Sequence, residues 1–169
     1  MEKNNKMIYR EIQKPRQFWV WIVVLLIALL FTYGFIQQIL LGNPFGSNPA
    51  PDWLLLIFWF IFGIIFPVVM AFFKLIIEIR VDGIYIRYVP FHLRYRRILF
   101  KEIENYEPIV YSFFEFGGWG IRVNSLGEKS YTMYGNKGIK INLKNETVVL
   151  GTQKQNEMIE AIDALNERQ

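Results

Sequence analysis

The sequence predicts two parts of different class: a membrane α-helical hairpin, and an α+β domain built as a bent antiparallel sheet or partial barrel capped by a C-terminal helix. Three observations predict this. Two long blocks near the N-terminus carry no charged side chain. Beyond them the apolar residues recur at every second position, the period of a strand. From Lys154 the period changes to that of a helix.

In order along the chain, residues 1–17 read as a basic tail, with Lys3, Lys6, Arg10, Lys14 and Arg16 set against Glu2 and Glu11. Residues 18–41 form the first span, in which Thr32, Gln37 and Gln38 are the main polar interruptions. At about 1.5 Å per residue, a helix of this length exceeds a hydrocarbon core of ~30 Å. The linker 42–52, GNPFGSNPAPD, is a turn by composition. Residues 53–73 form the second span, again uncharged. The first block is too long for a signal-peptide core, and no small-x-small site follows it. So short a linker sets the two helices side by side and antiparallel. Gly63 and Pro67 predict a bend in the second. Neither span carries an ionisable residue, so the hairpin alone offers no ion or proton path.

Charge placement predicts the orientation. The linker holds no Lys or Arg, whereas the tail is basic and Lys74, Arg80, Arg87, Arg94, Arg96, Arg97 and Lys101 follow the second span. Positive residues stay inside, which predicts a multi-pass protein of the cell membrane with both termini cytoplasmic. The sequon Asn145-Glu146-Thr147 then lies on the wrong side for glycosylation. The net charge of +4 is too small to imply nucleic acid by itself, and the absence of cysteine excludes disulfides and thiolate chemistry.

Residues 75–169 are expected to form the cytoplasmic domain. Ile77, Ile79 and Val81 alternate with polar residues, as do Ile84, Ile86 and Tyr88, on either side of Asp82-Gly83. That dipeptide predicts a tight hairpin turn with φ > 0. Further strands are expected at 97–100, 105–111, 120–124, 130–134, 139–144 and 147–150, about seven or eight in all. Met158, Ile159, Ile162 and Leu165 form the apolar stripe of a helix over 154–167, with Thr152 and Gln155 as a capping box.

This order, with the phrases Ile79-Arg80-Val81-Asp82-Gly83-Ile84-Tyr85, Pro90-Phe91-His92, Glu102-Ile103, Gly117-Gly118-Trp119-Gly120-Ile121-Arg122, Gly135-Asn136-Lys137-Gly138-Ile139 and Leu150-Gly151-Thr152-Gln153, resembles the pleckstrin-homology-like (PH-like) domains of the bacterial type. Together with the preceding helical pair, it is similar to small uncharacterised prokaryotic membrane proteins that carry such a domain. The resemblance implies the fold and no defined activity. Eukaryotic relatives of the fold bind phosphoinositides with a long basic loop between the first two strands, where this chain is read as having only Asp82-Gly83.

Several groups invite chemistry. Phe116-Gly117-Gly118-Trp119-Gly120 leads into a strand and not a helix, which argues against a phosphate loop and for a tight corner seating Trp119 in the core. Gly135-Asn136-Lys137-Gly138 reads as a hairpin turn. His92, the one histidine, has no cysteine to join it at a zinc site and no serine placed by motif. Glu102, Glu104, Glu107 and Glu115 read as a solvated face. No catalytic, cofactor or metal residue is assigned, and no enzyme activity is expected. The one cluster kept is Arg94, Arg96, Arg97 and Lys101, as a contact for anionic lipid headgroups; its plain alternative is a topogenic rim. The expected function is a membrane-tethered binding or scaffold module with an unidentified protein partner or a second copy of the chain. The alternative is an accessory subunit of a membrane enzyme or transporter whose catalytic groups come from a partner.

Overall fold

The computed structural model describes residues 6–166, which form two compact units. One is made of residues 16–72; the other is made of the segments on either side of it.

The first unit contains helix α1 (Phe18–Leu40) and helix α2 (Asp52–Phe72), each long and apolar enough to cross a membrane. The bounds agree with the expected spans to within a residue. Both are apolar all round and leave side chains such as Leu26 and Leu29 exposed, unlike the buried helix of a soluble core. Phe31 stacks on Phe62 at 5.0 Å and Phe35 on Trp59 at 4.1 Å, which joins the helices. Gly63 makes room for this: a Cβ there would stand 2.9 Å from the Trp59 ring. The stretch Trp59–Ile65 has π-helical turns, next to Pro67, whose missing N–H interrupts the hydrogen-bond ladder. Gln38, an interruption in sequence, organises the linker. Its amide donates to the Ala50 carbonyl and to Asp52, each at 2.7 Å, and its oxygen accepts from Phe45 N.

The second unit holds two sheets and a helix. Strands β1 (Met7–Gln13), β2 (Lys74–Arg80), β3 (Gly83–Val89) and β4 (Arg96–Leu99) make a four-stranded antiparallel sheet in that order. A turn of 3-10 helix, Phe100–Glu102, leads to the other sheet. This comprises β5 (Ile103–Val110), β6 (Gly120–Val123), β7 (Lys129–Thr132), β8 (Lys137–Leu143) and β9 (Thr147–Gly151), in the order β5-β8-β9-β7-β6. Only β7 and β9 run parallel. Helix α3 (Gln155–Asn166) completes the unit. Leu75, Ile77 and Ile79 of β2, Ile84 and Ile86 of β3, and Ile139 and Ile141 of β8 meet Val148 and Leu150 of β9 in one core. Met158, Ala161, Ile162 and Leu165 of α3 pack into the same core.

Six sequence expectations need correction here. First, the tail is not outside the domain: Met7–Gln13 is β1, paired with β2 from Arg80 to Leu75. The first two strands are therefore β1 and β2, and the whole helical unit is the connection between them. Second, the β2–β3 turn is Val81-Asp82, and neither residue has positive φ. Gly83 is needed for a different reason: a Cβ would stand 2.2 Å from the Ile98 carbonyl oxygen of β4. Third, it is Phe116 that is buried, against Tyr111 and Val149, while Trp119 is half-buried, set against Phe113, and donates from Nε1 to the Gly135 carbonyl. Fourth, Gly135–Gly138 is not a hairpin turn, because β9 lies between β7 and β8. Fifth, Thr152 and Gln155 form no capping box. The Gln155 amide donates instead to the Ile109 and Gly138 carbonyls, while Thr152 Oγ1 accepts from Lys154 N. Sixth, Ile159 is only partly buried, and Ala161 takes its place in the core stripe. Glu167, the expected end of the helix, lies outside the described residues.

Candidate functional site

The outer face of the four-stranded sheet gathers charge and aromatic surface from all four strands. Because partners in an antiparallel pair share a face, Arg10 lies beside Glu78, Glu78 beside Tyr85, and Tyr85 beside Arg97. Glu78 is buried; it accepts from Arg80 Nη2 at 2.6 Å and Tyr95 OH at 2.9 Å, and forms an ion pair with Arg10 Nε at 3.3 Å. Burial pushes its carboxyl up, but the hydrogen bonds from Arg80 and Tyr95 outweigh that and hold it below the usual carboxylate range. The Arg80 guanidinium lies 4.3 Å over the Tyr85 ring, and that of Arg87 lies 5.8 Å from the Tyr95 ring. Glu78, with Asp82 bound to the Tyr85 hydroxyl at the edge, stands among Arg10, Arg80, Arg87 and the exposed Arg97, so the face keeps a positive excess.

The predicted cluster of Arg94, Arg96, Arg97 and Lys101 is not one patch. Alternation along β4 turns Arg96 inward, opposite Ile86. There its guanidinium donates to the Tyr131 hydroxyl at 2.5 Å and forms an ion pair with Glu146, so it clasps the two sheets together. Glu146 also takes Lys129 at 2.8 Å; that hydrogen bond, against an opposing burial effect and with help from Arg96, holds its carboxyl low. Arg97 points the other way, onto the outer face. Arg94 is exposed on the β3–β4 loop, and Lys101 is exposed on the 3-10 turn. A cleft of about 430 Å³ opens beside the Arg96 clasp, lined also by Arg97, Glu102, Lys144 and Asn145.

The residues that sequence reasoning missed are Arg10, Arg80 and Arg87. The alternation of Glu78 and Arg80 was visible as a polar face, but nothing in the sequence placed Arg10 beside them. His92 sits in the β3–β4 loop, where its N–H donates to the Tyr88 carbonyl at 2.7 Å and its Nδ1 accepts from Tyr88 N at 3.4 Å. Burial, and then the Arg96 charge, lower its pKa from the usual 6.5. Among the described residues no group of His, Asp and Glu is arranged to hold a metal ion.

Residues 1–163 match the family model described as a family of unknown function, DUF6141. Comparison with curated proteins and with solved structures finds no match.

Proposed function

The chain belongs to the DUF6141 family, and from that premise we propose that it is a membrane-tethered PH-like binding module without catalysis of its own. The four-stranded antiparallel sheet, the second sheet and the C-terminal helix over the core support the PH-like reading. The family match takes in both units, which supports their acting as one device.

One pairing carries the tethered reading. Gln13 lies opposite Leu75, so the chain leaves the domain and returns to it on adjacent strands. If the segment between these points crosses a bilayer, it does so an even number of times, and two apolar helices supply that number. The basic flanks then put the domain on the cytoplasmic side. The arginine–tyrosine face is the surface offered for binding, and its flat guanidinium groups suit anionic groups such as lipid headgroups.

The chain has no cysteine, so single cysteines report topology without background. Asn48→Cys in the linker should react with a membrane-impermeant maleimide from outside intact cells. Asn145→Cys, on the exposed β8–β9 turn, should react only after the membrane is opened. Labelling of both from the same side would overturn the proposal.

A further inference from the structure

The β3–β4 loop begins where β3 ends, opposite the start of β2. Lys74 begins β2 two residues after Phe72, and it pairs with Val89 at the end of β3. Phe73 lies between, and its ring packs 5.4 Å from Phe91 and 6.5 Å from Tyr88. The loop displays large apolar side chains to solvent: Phe91 is 65% exposed and Leu93 86%. Beside them Arg94 is exposed and makes no ion pair among the described residues. The loop is also held in shape. Arg87 Nε donates to the His92 carbonyl at 3.2 Å, and the two Tyr88–His92 hydrogen bonds close its base. Leu93, and Phe91 although one side of its ring rests on Phe73 and Tyr88, leave most of their apolar surface outside the domain core.

From this geometry we infer that the loop is an interfacial anchor. Phe91 and Leu93 enter the boundary between headgroups and acyl chains of the leaflet from which α2 emerges, while Arg94 reaches a headgroup phosphate. The inference rests on the membrane-tethered reading above. The occupant follows from covalent continuity: one residue separates the end of α2 from β2, and the ring of that residue touches Phe91. Apolar and aromatic side chains with a snorkelling cation are the composition that such a boundary favours. The opposite end of the β2–β3 hairpin makes a built-in control. β2 has seven residues, which at about 3.3 Å each puts Val81 roughly 20 Å from Lys74.

The test uses the full chain with one cysteine at a time, Leu93→Cys, Val81→Cys or Leu25→Cys, each carrying an environment-sensitive nitrobenzoxadiazole label. The protein is reconstituted in phosphatidylcholine–phosphatidylglycerol vesicles with or without nitroxide-bearing phosphatidylcholine. The label at 93 should shift to the blue and lose emission when nitroxide lipid is present, as the label at 25 does. The label at 81 should do neither. If position 93 behaves like 81 while 25 is quenched, the anchor is overturned and the tether stands. If 25 also escapes quenching, the tether fails and the anchor fails with it.

Discussion

The carboxyl group of Glu11 accepts from Tyr9 OH at 2.8 Å, Thr152 Oγ1 at 2.5 Å and Gln153 N at 2.9 Å. Two residues on, the Gln13 amide donates to the Gly151 carbonyl at 2.7 Å. These bonds tie β1 to the end of β9 and to the approach to α3. Glu11→Ala leaves the Tyr9 and Thr152 hydroxyls without their acceptor in a buried place and Gln153 N without it at the edge, so it should cost about 1–3 kcal/mol, read as a lower apparent melting temperature of the full chain in detergent. A tail residue with a pivotal role was not legible in the sequence, because a glutamate among basic residues looks solvated until its partners, far along the chain, are known. Gly83 was legible as a special position but for the wrong reason, since the approach of β4 to its Cα depends on a strand that lies further on. His92 adds a pH dependence. Its folded pKa is lowered, so below 6.5 the unfolded chain takes up a proton that the folded chain resists. Its contribution to stability is therefore present above pH 6.5 and lost as pH falls from there through the folded pKa. His92→Asn, which keeps an acceptor for Tyr88 N, should flatten the fall in melting temperature between pH 7 and the folded pKa. An unchanged slope would assign that fall to other groups; the Glu128 and Glu146 carboxyls, also held low, lose their contribution only below about 4.5.

Strand β1 turns Tyr9, Glu11 and Gln13 inward and leaves Ile8 and Ile12 outward, the reverse of a usual edge strand. Periodicity alone therefore argued against it, whereas β2, β3, β8 and β9 announced themselves by their inward Ile, Leu and Val. The helices were the most legible elements, because an uncharged run of such length needs no knowledge of its partners. Since β1 precedes the helical unit and β2 follows it, a fragment of residues 74–169 lacks an edge strand and the anchors of Glu11 and Gln13. It should show weak tertiary structure and associate through the bare edge of β2. Replacing residues 16–72 with a short Gly/Ser linker restores β1 in register and should give a monomeric, β-rich protein with cooperative unfolding. Equal stability of the two proteins would mean that β1 is dispensable.

At the scale of the molecule, charge on the domain is sorted by sheet face and not by position in the chain. Arg96 and Arg97 are neighbours in sequence, yet one clasps the sheets through Tyr131 and Glu146 while the other lies exposed on the outer face that also carries Arg87 and Arg10. This predicts that they fail in different ways. In nanodiscs of mixed phosphatidylcholine and phosphatidylglycerol, the full chain should retain anionic lipid in preference to neutral lipid, and the preference should fade as salt shortens the Debye length below about 8 Å. Arg87→Gln with Arg97→Gln removes two cations, each worth about 1 kcal/mol at an anionic surface, so the preference should drop by up to roughly thirty-fold. Arg10 and Arg80 still neutralise Glu78 in that variant, so it should stay folded and lose only the Arg87–His92 hydrogen bond, about 0.5–1.5 kcal/mol, seen as a small drop in melting temperature. Arg96→Gln should do the opposite. It leaves Tyr131 and Glu146 without their shared donor, lowers the melting temperature, and leaves lipid preference unchanged. Equal lipid retention by wild type and the double variant, with the fold intact, would take anionic lipid off the outer face and leave its arginines to an acidic protein surface.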